Sequence, residues 1–120
     1  MIVGRQKLLL IFIDLTDTWR DRSLYEAIVQ VLERHDIAGA TVMSGIMGYG
    51  IHRHIHQKGL FGVSDEKPVT ILVIDTEEKI RAVLPAIFPM VKEGLITFQD
   101  TEVLWTGAAT SDRSDPDKGL

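Results

Sequence analysis

The stretches "FIDLTD" (residues 12–17) and "VIDTEE" (residues 73–78) are similar in sequence and decide the predicted fold. Each ends a short apolar run, "KLLLIFID" (7–14) and "PVTILVID" (68–75), and such a run is typical of a buried strand. Each is followed by apolar residues at helical spacing. The chain is therefore a weak internal duplication of a strand–helix–strand unit. We predict an α+β fold with the ferredoxin-like order β-α-β-β-α-β.

Local signals predict where the two helices begin and how they are capped. The first helix is expected to begin at Ser23, which has the capping-box spacing to Glu26. The second lies in "TEEKIRAVLPAIFPMV", where Pro85 is expected to bend it because proline lacks a backbone donor. Asp14 and Asp75 end strands, so we expect them to cap the following helices rather than to act as acid or base.

The two remaining strands are predicted in "AGATVMSGIM" (38–47) and "LITFQDTEVLW" (95–105). A long connection, 49–67, separates the second strand from the third. Residues 1–105 are expected to form a single domain, since the length is that of one hydrophobic core. Residues 106–120 are small, polar and charged, which predicts a disordered tail.

Composition excludes several classes of protein. The 120 residues include no cysteine, so disulfides, thiolate chemistry and cysteine-ligated metals are excluded. A net charge of −4, without interleaved basic and aromatic residues, argues against a nucleic-acid partner. No apolar run is long enough for a membrane helix, and no signal peptide is recognisable, so we expect a cytoplasmic protein.

The first strand predicts an interface, because both of its faces are apolar. Alternate residues point to opposite sides: Leu8, Leu10 and Phe12 to one, and Leu9, Ile11 and Ile13 to the other. Two helices can cover only one face of a four-stranded sheet. A large apolar face left open usually marks an interface, so we predict an oligomer. The alternative is that the connection 49–67 folds over this face.

The segment "GYGIHRHIHQKG" (48–59) raises the possibility of a metal site. In an extended chain His52, His54 and His56 fall on one face, and imidazoles so placed could share zinc or copper if the strand bends. The spacing is unspecific, since most zinc sites take ligands from separated elements. The alternative is that the histidines are solvated side chains of a hairpin.

The same segment could also bind phosphate. Glycines at 45, 48 and 50 allow close approach of the backbone to an anion. Positive charge follows within a few positions, and Arg53 could hold a phosphate bidentately. The pattern is neither a Walker loop nor a dinucleotide fingerprint, and a flexible loop without a ligand is the alternative. We find no catalytic constellation and predict no enzyme.

The sequence resembles the PII-like family of uncharacterised proteins known as domain of unknown function 190. The resemblance covers about residues 7–105 and is carried by "LYEAI", "GATV", "GYG" with the histidines after it, and "DTEEKI". That family is similar in fold to the nitrogen-regulatory PII signalling proteins. The resemblance implies a homotrimer whose sheets face the centre, with adenine nucleotides in clefts between subunits.

Site residues follow from the resemblance position by position. Thr41 in "GATV" and Gly48-Tyr49-Gly50 are similar to PII residues that contact the nucleotide, and Lys92 and Gly94 correspond to a loop supplied by the neighbouring subunit.

The sequence also departs from the PII pattern. The segment "VKEGLIT" is shorter than the PII loop, and "ITFQDTEVLW" lacks the arginines of the last PII strand. The phosphate end is therefore assigned to His52, Arg53 and His56. Tyr49 lies at the loop base, so it does not match the modified PII tyrosine.

Two functional hypotheses result. The first is a trimeric regulatory protein that binds a small anionic effector, an adenine nucleotide such as ATP, ADP, AMP or a cyclic nucleotide. By resemblance its target is a membrane transporter or another regulated protein. The second is a metal-binding sensor or storage protein that uses His52, His54 and His56.

Overall fold

The chain folds into one four-stranded antiparallel sheet with two helices. A computed structural model describes residues 3–51 and 67–107. The strands are β1 (Gly4–Asp14), β2 (Thr18–Trp19), β3 (Arg22–Ser23), β4 (Thr41–Ser44), β5 (Pro68–Asp75) and β6 (Leu95–Val103). The helices are α1 (Leu24–Arg34) and α2 (Glu77–Ile87), and a 3-10 turn follows at Phe88–Met90. The sheet order β4-β5-β1-β6 confirms the predicted ferredoxin-like fold.

The core lies between the helices and one face of the sheet. Leu9, Ile11 and Ile13 of β1 are fully buried there. They pack with alternate residues of β5 and with the apolar stripes of both helices, namely Val69, Ile71, Val73, Leu24, Ala27, Ile28, Leu32, Ile80, Val83, Leu84 and Ile87. Burial of a large aliphatic side chain contributes roughly 1.5–3 kcal/mol. This single layer of contacts therefore holds the helices on the sheet.

The opposite face of the sheet, which we call the open face, is apolar and is covered by neither α1 nor α2, the two helices of the described residues. Its centre consists of half-buried Leu8, Leu10, Phe12, Leu72 and Ile74. The register pairs Leu10 with Leu72 on β5 and with Thr97 on β6, so these side chains lie on the same face. The expected alternation of the first strand is confirmed. Among the described residues, no helix of sufficient length and apolarity to span a membrane occurs.

The helix ends differ from the predicted caps. Ser23 is the N-cap of α1, but its side chain makes no capping hydrogen bond, so the predicted box with Glu26 does not form. At α2 the N-cap is Thr76, whose hydroxyl accepts a hydrogen bond from the Lys79 amide at 3.2 Å. The prediction that Asp75 caps this helix is wrong. The helix continues through Pro85.

A hairpin that the sequence analysis did not predict precedes α1. Thr18 pairs with Ser23 and Trp19 with Arg22, which leaves Arg20 and Asp21 at the turn. Both turn residues have positive φ, 50° and 68°. A two-residue turn of this kind matches the twist of the strands, and it normally carries glycine or asparagine. The apolar alternation that reveals longer strands is missing here because each strand has two residues.

Strand β4 is shorter than predicted, ending at Ser44, and β6 ends at Val103. The end of β4 has a clear cause. Its last pair is Ser44 with Val69, and the next ladder position on β5 is Pro68, which has no amide to donate. The Gly45 amide instead donates to the Pro68 carbonyl at 2.7 Å, and the chain leaves the sheet.

Asp75, at the end of β5, holds the connection between α1 and β4. One carboxylate oxygen accepts from the Ala38 amide and the other from the Thr76 amide, both at 2.8 Å. The Lys79 ammonium lies 3.3 Å away. Burial raises the pKa of the Asp75 carboxyl. The hydrogen bonds from Ala38 and Thr76 and the Lys79 charge together lower it by more than burial raises it, so the pKa lies below its ordinary value.

We expect Asp21→Gly to increase the free energy of unfolding by up to about 1 kcal/mol, since glycine adopts positive φ without a steric penalty. Arg22→Gly is the matched control, because Arg22 lies in β3 and glycine only weakens an extended residue. Chemical denaturation of both variants measures the effect. A loss of stability in Asp21→Gly would contradict the strained turn.

We expect Asp75→Asn to lower the free energy of unfolding by about 1–3 kcal/mol at neutral pH, because buried donors lose their charged acceptor. A lowered folded-state pKa means that the ionised carboxylate stabilises the fold above its unfolded pKa of about 3.9. This contribution is lost as the pH falls through the lower, folded-state value. The difference between wild type and variant should therefore shrink in acid.

Urea titrations between about pH 7 and pH 3 measure this difference, with Glu26→Gln on the exposed side of α1 as the control for removal of one charge. A gap between wild type and Asp75→Asn that stays constant over the range would show that the Asp75 charge does not stabilise the fold.

Candidate functional site

The candidate site lies at the end of the sheet where β1 and β4 finish and β5 and β6 begin. Asp14 pairs there with Pro68, and Phe12 pairs with Leu95. The glycine-rich segment after β4, residues 45–51, leaves the sheet at this end. We call this segment the loop base. The turn that carries Lys92 and Gly94 reaches the same end, directly before β6.

Pro68 is the support on which the loop base rests. A Cβ atom at Gly45 would lie 2.7 Å from Pro68 Cγ, and one at Gly48 would lie 3.1 Å from it. Both glycines therefore permit close approach to the proline ring. The Gly45 amide is already bonded to the Pro68 carbonyl. This donor is therefore used inside the fold, so the predicted approach of an anion to Gly45 would not involve its amide.

Asp14 holds the chain directly before this proline. The Lys67 amide donates to the Asp14 carboxylate at 2.6 Å, and the Leu15 amide donates to the Lys67 carbonyl at 2.8 Å. The other Asp14 oxygen accepts from the amide and the hydroxyl of Thr16, at 3.0 and 2.6 Å. The side chain is almost fully buried. The capping role predicted for Asp14 is therefore replaced by a contact with a distant segment.

The predicted nucleotide residues of the loop base differ in their constraints. Gly48 is half-buried against Pro68. Tyr49 is 88% exposed, which leaves its ring free to contact a ligand or another copy. Gly50 has a φ of +109°, and an added Cβ would meet no atom of residues 3–51 and 67–107 within 4 Å. At Gly50 backbone conformation rather than space favours glycine.

Thr41 begins β4 and lies on the open face. It pairs with Leu72, which in turn pairs with Leu10. Thr41 is exposed, and it is set back from the loop base by the length of the strand. Its side chain thus faces the open side of the sheet, at the start of the strand that leads into the loop base.

Lys92 and Gly94 lie on the opposite edge of the sheet, beside β6. Lys92 is exposed. A side chain at Gly94 would collide with the carbonyl oxygen of Phe12 and approach the Val91 side chain at 2.9 Å. Glycine is required at 94 because the turn crosses the β1 backbone closely, whether or not a ligand binds there.

The structure therefore brings the predicted residues to one end of the sheet but not to one place. The loop base follows β4 at one edge, and Lys92 and Gly94 precede β6 at the other. Three strand spacings separate these edges, which is roughly 14 Å. Within a single chain the two groups lie at opposite edges of the sheet and do not form one pocket.

His52, Arg53, His54 and His56 lie outside the described residues, so their phosphate and metal roles stay predictions. Within residues 3–51 and 67–107, no group of three or more histidine, aspartate or glutamate side chains is placed to hold a metal ion. The predicted tail, 106–120, is described only as far as residue 107.

The role of Lys67 and Pro68 could not be predicted from the sequence. The repeated aspartates at 14 and 75 were the available signal, since each ends a strand of the duplicated unit. In the structure each carboxylate accepts a hydrogen bond from a backbone amide that precedes a neighbouring strand. The Lys67 amide, before β5, donates to Asp14, and the Ala38 amide, before β4, donates to Asp75. Spacing along the chain could not show this, because both partners are distant in sequence.

Comparisons with known proteins agree with this architecture. The family model DUF190, with the description "Uncharacterized ACR, COG1993", matches residues 6–103. A UPF0166 protein of Methanocaldococcus jannaschii is 37% identical over 100 residues, which make up 82% of this chain and 92% of that protein.

Two solved structures of CPII from Thiomonas intermedia K12 share the fold. The structure bound to ADP, AMP and acetate has a TM-score of 0.63 at 19% identity, over 86% of this chain and 92% of that chain. The apo form, a nitrogen regulatory PII-like protein, has a TM-score of 0.61 at 17% identity, over 85% and 95%. The chain therefore belongs to the DUF190 family, and its fold is that of the PII-like proteins.

Proposed function

We propose that the protein is a PII-like regulator that binds an adenine nucleotide in clefts between the subunits of a homotrimer. The observation that carries this proposal is the apolar open face of a sheet whose two candidate binding segments lie at opposite edges. Within the described residues of a single copy, no helix covers this face and the two segments lie apart. Association of copies would cover the open face and would also bring the two binding segments together.

The strand directions allow such an assembly to close. β4 and β6 run antiparallel, and the loop base and Lys92 lie at the same end of the sheet. When β4 of one copy lies beside β6 of the next, all copies point the same way. The loop base of one copy then meets Lys92 and Gly94 of its neighbour. Cyclic repetition with the open faces inward buries the apolar side chains.

The contents of each cleft follow from its parts. Tyr49 offers an exposed ring within the loop base, and Lys92 of the neighbouring copy offers a cation. His52, Arg53 and His56 follow the loop base in sequence and supply the phosphate end in this proposal. The similar CPII protein was solved with ADP and AMP, which supports an adenine nucleotide as the effector.

Regulation, rather than catalysis, is the role proposed for this site. Of the two aspartates considered as acid or base, Asp75 is engaged with Ala38, Thr76 and Lys79, and Asp14 with Lys67 and Thr16. Both carboxylates hold backbone in place. Nucleotide binding would instead be reported to a protein partner, such as a membrane transporter.

We expect calorimetry to detect binding of ATP, ADP, AMP or a cyclic nucleotide to the wild-type protein. Arg53→Ala should weaken that binding at least about tenfold, since a bidentate contact between guanidinium and phosphate is lost. His54→Ala is the matched control within the same segment. Titration with zinc and copper forms the other arm: metal binding without any nucleotide response would favour the metal hypothesis and contradict the proposed function.

We expect Leu10→Lys to convert the homotrimer into monomers that keep their helical circular dichroism, because a charge at the centre of the open face cannot be buried between copies. Ala82→Lys, on the exposed side of α2, is the control and should leave the trimer intact. Light scattering at micromolar concentration measures both. A monomeric wild type would contradict the assembly.

A further inference from the structure

We propose that Asp14 is the positioning residue of the loop base. Its carboxylate holds the Lys67 amide and thereby fixes Pro68, on which Gly45 and Gly48 rest. The inference concerns how the candidate site is shaped. It rests on the proposed function only where ligand affinity is used as a readout.

Lys67 is anchored by hydrogen bonds from its backbone. Its amide donates to Asp14 and its carbonyl accepts from the Leu15 amide, so the peptide groups on both sides of Lys67 are held. The Thr16 hydroxyl and amide donate to the second Asp14 oxygen and fix the orientation of the carboxylate. A hydrogen bond to a buried carboxylate is stronger than one between neutral groups.

Pro68 connects Lys67 with the loop base. Pro68 follows directly, and its fixed ring geometry transmits the position of its amide nitrogen to its ring carbons. Gly45 and Gly48 approach this ring so closely that added Cβ atoms would lie 2.7 and 3.1 Å from Pro68 Cγ. The Pro68 carbonyl also accepts from the Gly45 amide. A shift of Lys67 therefore moves the surface that supports Gly48.

Asp75 is the counterpart of Asp14 in the duplicated unit. Asp75 makes the same kind of contact, with the Ala38 amide, at the other end of β5. The two aspartates differ in the residue four positions later, which is Lys79 after Asp75 and Thr18 after Asp14. The same anchoring device thus occurs at both ends of the sheet, and the copy at Asp14 adjoins the loop base. Asp75 is consequently a built-in control.

Amide hydrogen exchange on the full chain tests the inference without any ligand. Asp14→Asn should accelerate exchange of the Gly45 amide at least about tenfold, because the support beneath its hydrogen bond is released. Asp75→Asn should accelerate the Ala38 amide by a similar factor and leave Gly45 within about twofold of wild type. An unchanged Gly45 amide in Asp14→Asn, alongside a response of Ala38 in Asp75→Asn, would overturn the inference.

A milder variant keeps the test decisive if Asp14→Asn fails to fold. Thr16→Val preserves the shape of the side chain and removes only the hydroxyl that orients Asp14. It should accelerate Gly45 exchange in the same direction and by a smaller factor. If the protein folds and Gly45 exchange stays at the wild-type rate, the positioning role of Asp14 is wrong.

Affinity for ADP separates this inference from the proposed function. Asp14→Asn should weaken ADP binding about tenfold or more, whereas Asp75→Asn should leave it within about twofold. Equal ADP affinity in wild type and Asp14→Asn would reject the positioning role and leave nucleotide regulation standing. A wild type that binds no adenine nucleotide would reject the proposed function, and the Gly45 exchange rates would still decide the role of Asp14.

Discussion

The structure depends on one imbalance: two helices cover one face of an apolar sheet and leave the other open. Ile11 and Leu10 are neighbours in β1, yet one is fully buried under the helices and the other lies on the open face. Exposure of the open face to water is unfavourable, since its central side chains are leucine, isoleucine and phenylalanine. The proposed association of copies, and with it the proposed nucleotide cleft, follows from this exposed apolar surface.

The end of the sheet combines packing and binding demands at the same residues. Gly94 avoids the Phe12 carbonyl and Gly48 avoids the Pro68 ring, so both glycines are explained by close contact alone. Gly50 is different, because its φ is positive and an added Cβ would contact no atom of the described residues. Within the loop base, Gly50 with exposed Tyr49 is therefore the part most available to a ligand.

The duplicated unit places equivalent carboxylates in different surroundings. Asp75 stands beside Lys79 and holds Ala38, far from the loop base. Asp14 holds Lys67, where the chain re-enters the sheet after the long connection. The same interaction, a backbone amide that donates to a strand-end carboxylate, can thus stabilise the fold at one end of the sheet and shape a site at the other.

The sequence by itself determined the elements whose signals are local and periodic. Alternation in β1 and the apolar stripes of both helices follow from burial on one side, so the element order and the core could be predicted. Likewise, the resemblance identified the family from short motifs. The hairpin at Thr18–Ser23 escaped prediction because its strands are too short for a period.

Only the tertiary structure decided what the strand-end aspartates and the glycines contact. The partners of Asp14 and Gly45 are Lys67 and Pro68, which the long connection separates from both in sequence. A carboxylate at a strand end satisfies whichever amide the fold brings near, so local sequence suggests a cap where the structure forms an anchor. The opposite edges on which Gly50 and Lys92 lie were likewise set by sheet order, which spacing along the chain does not encode.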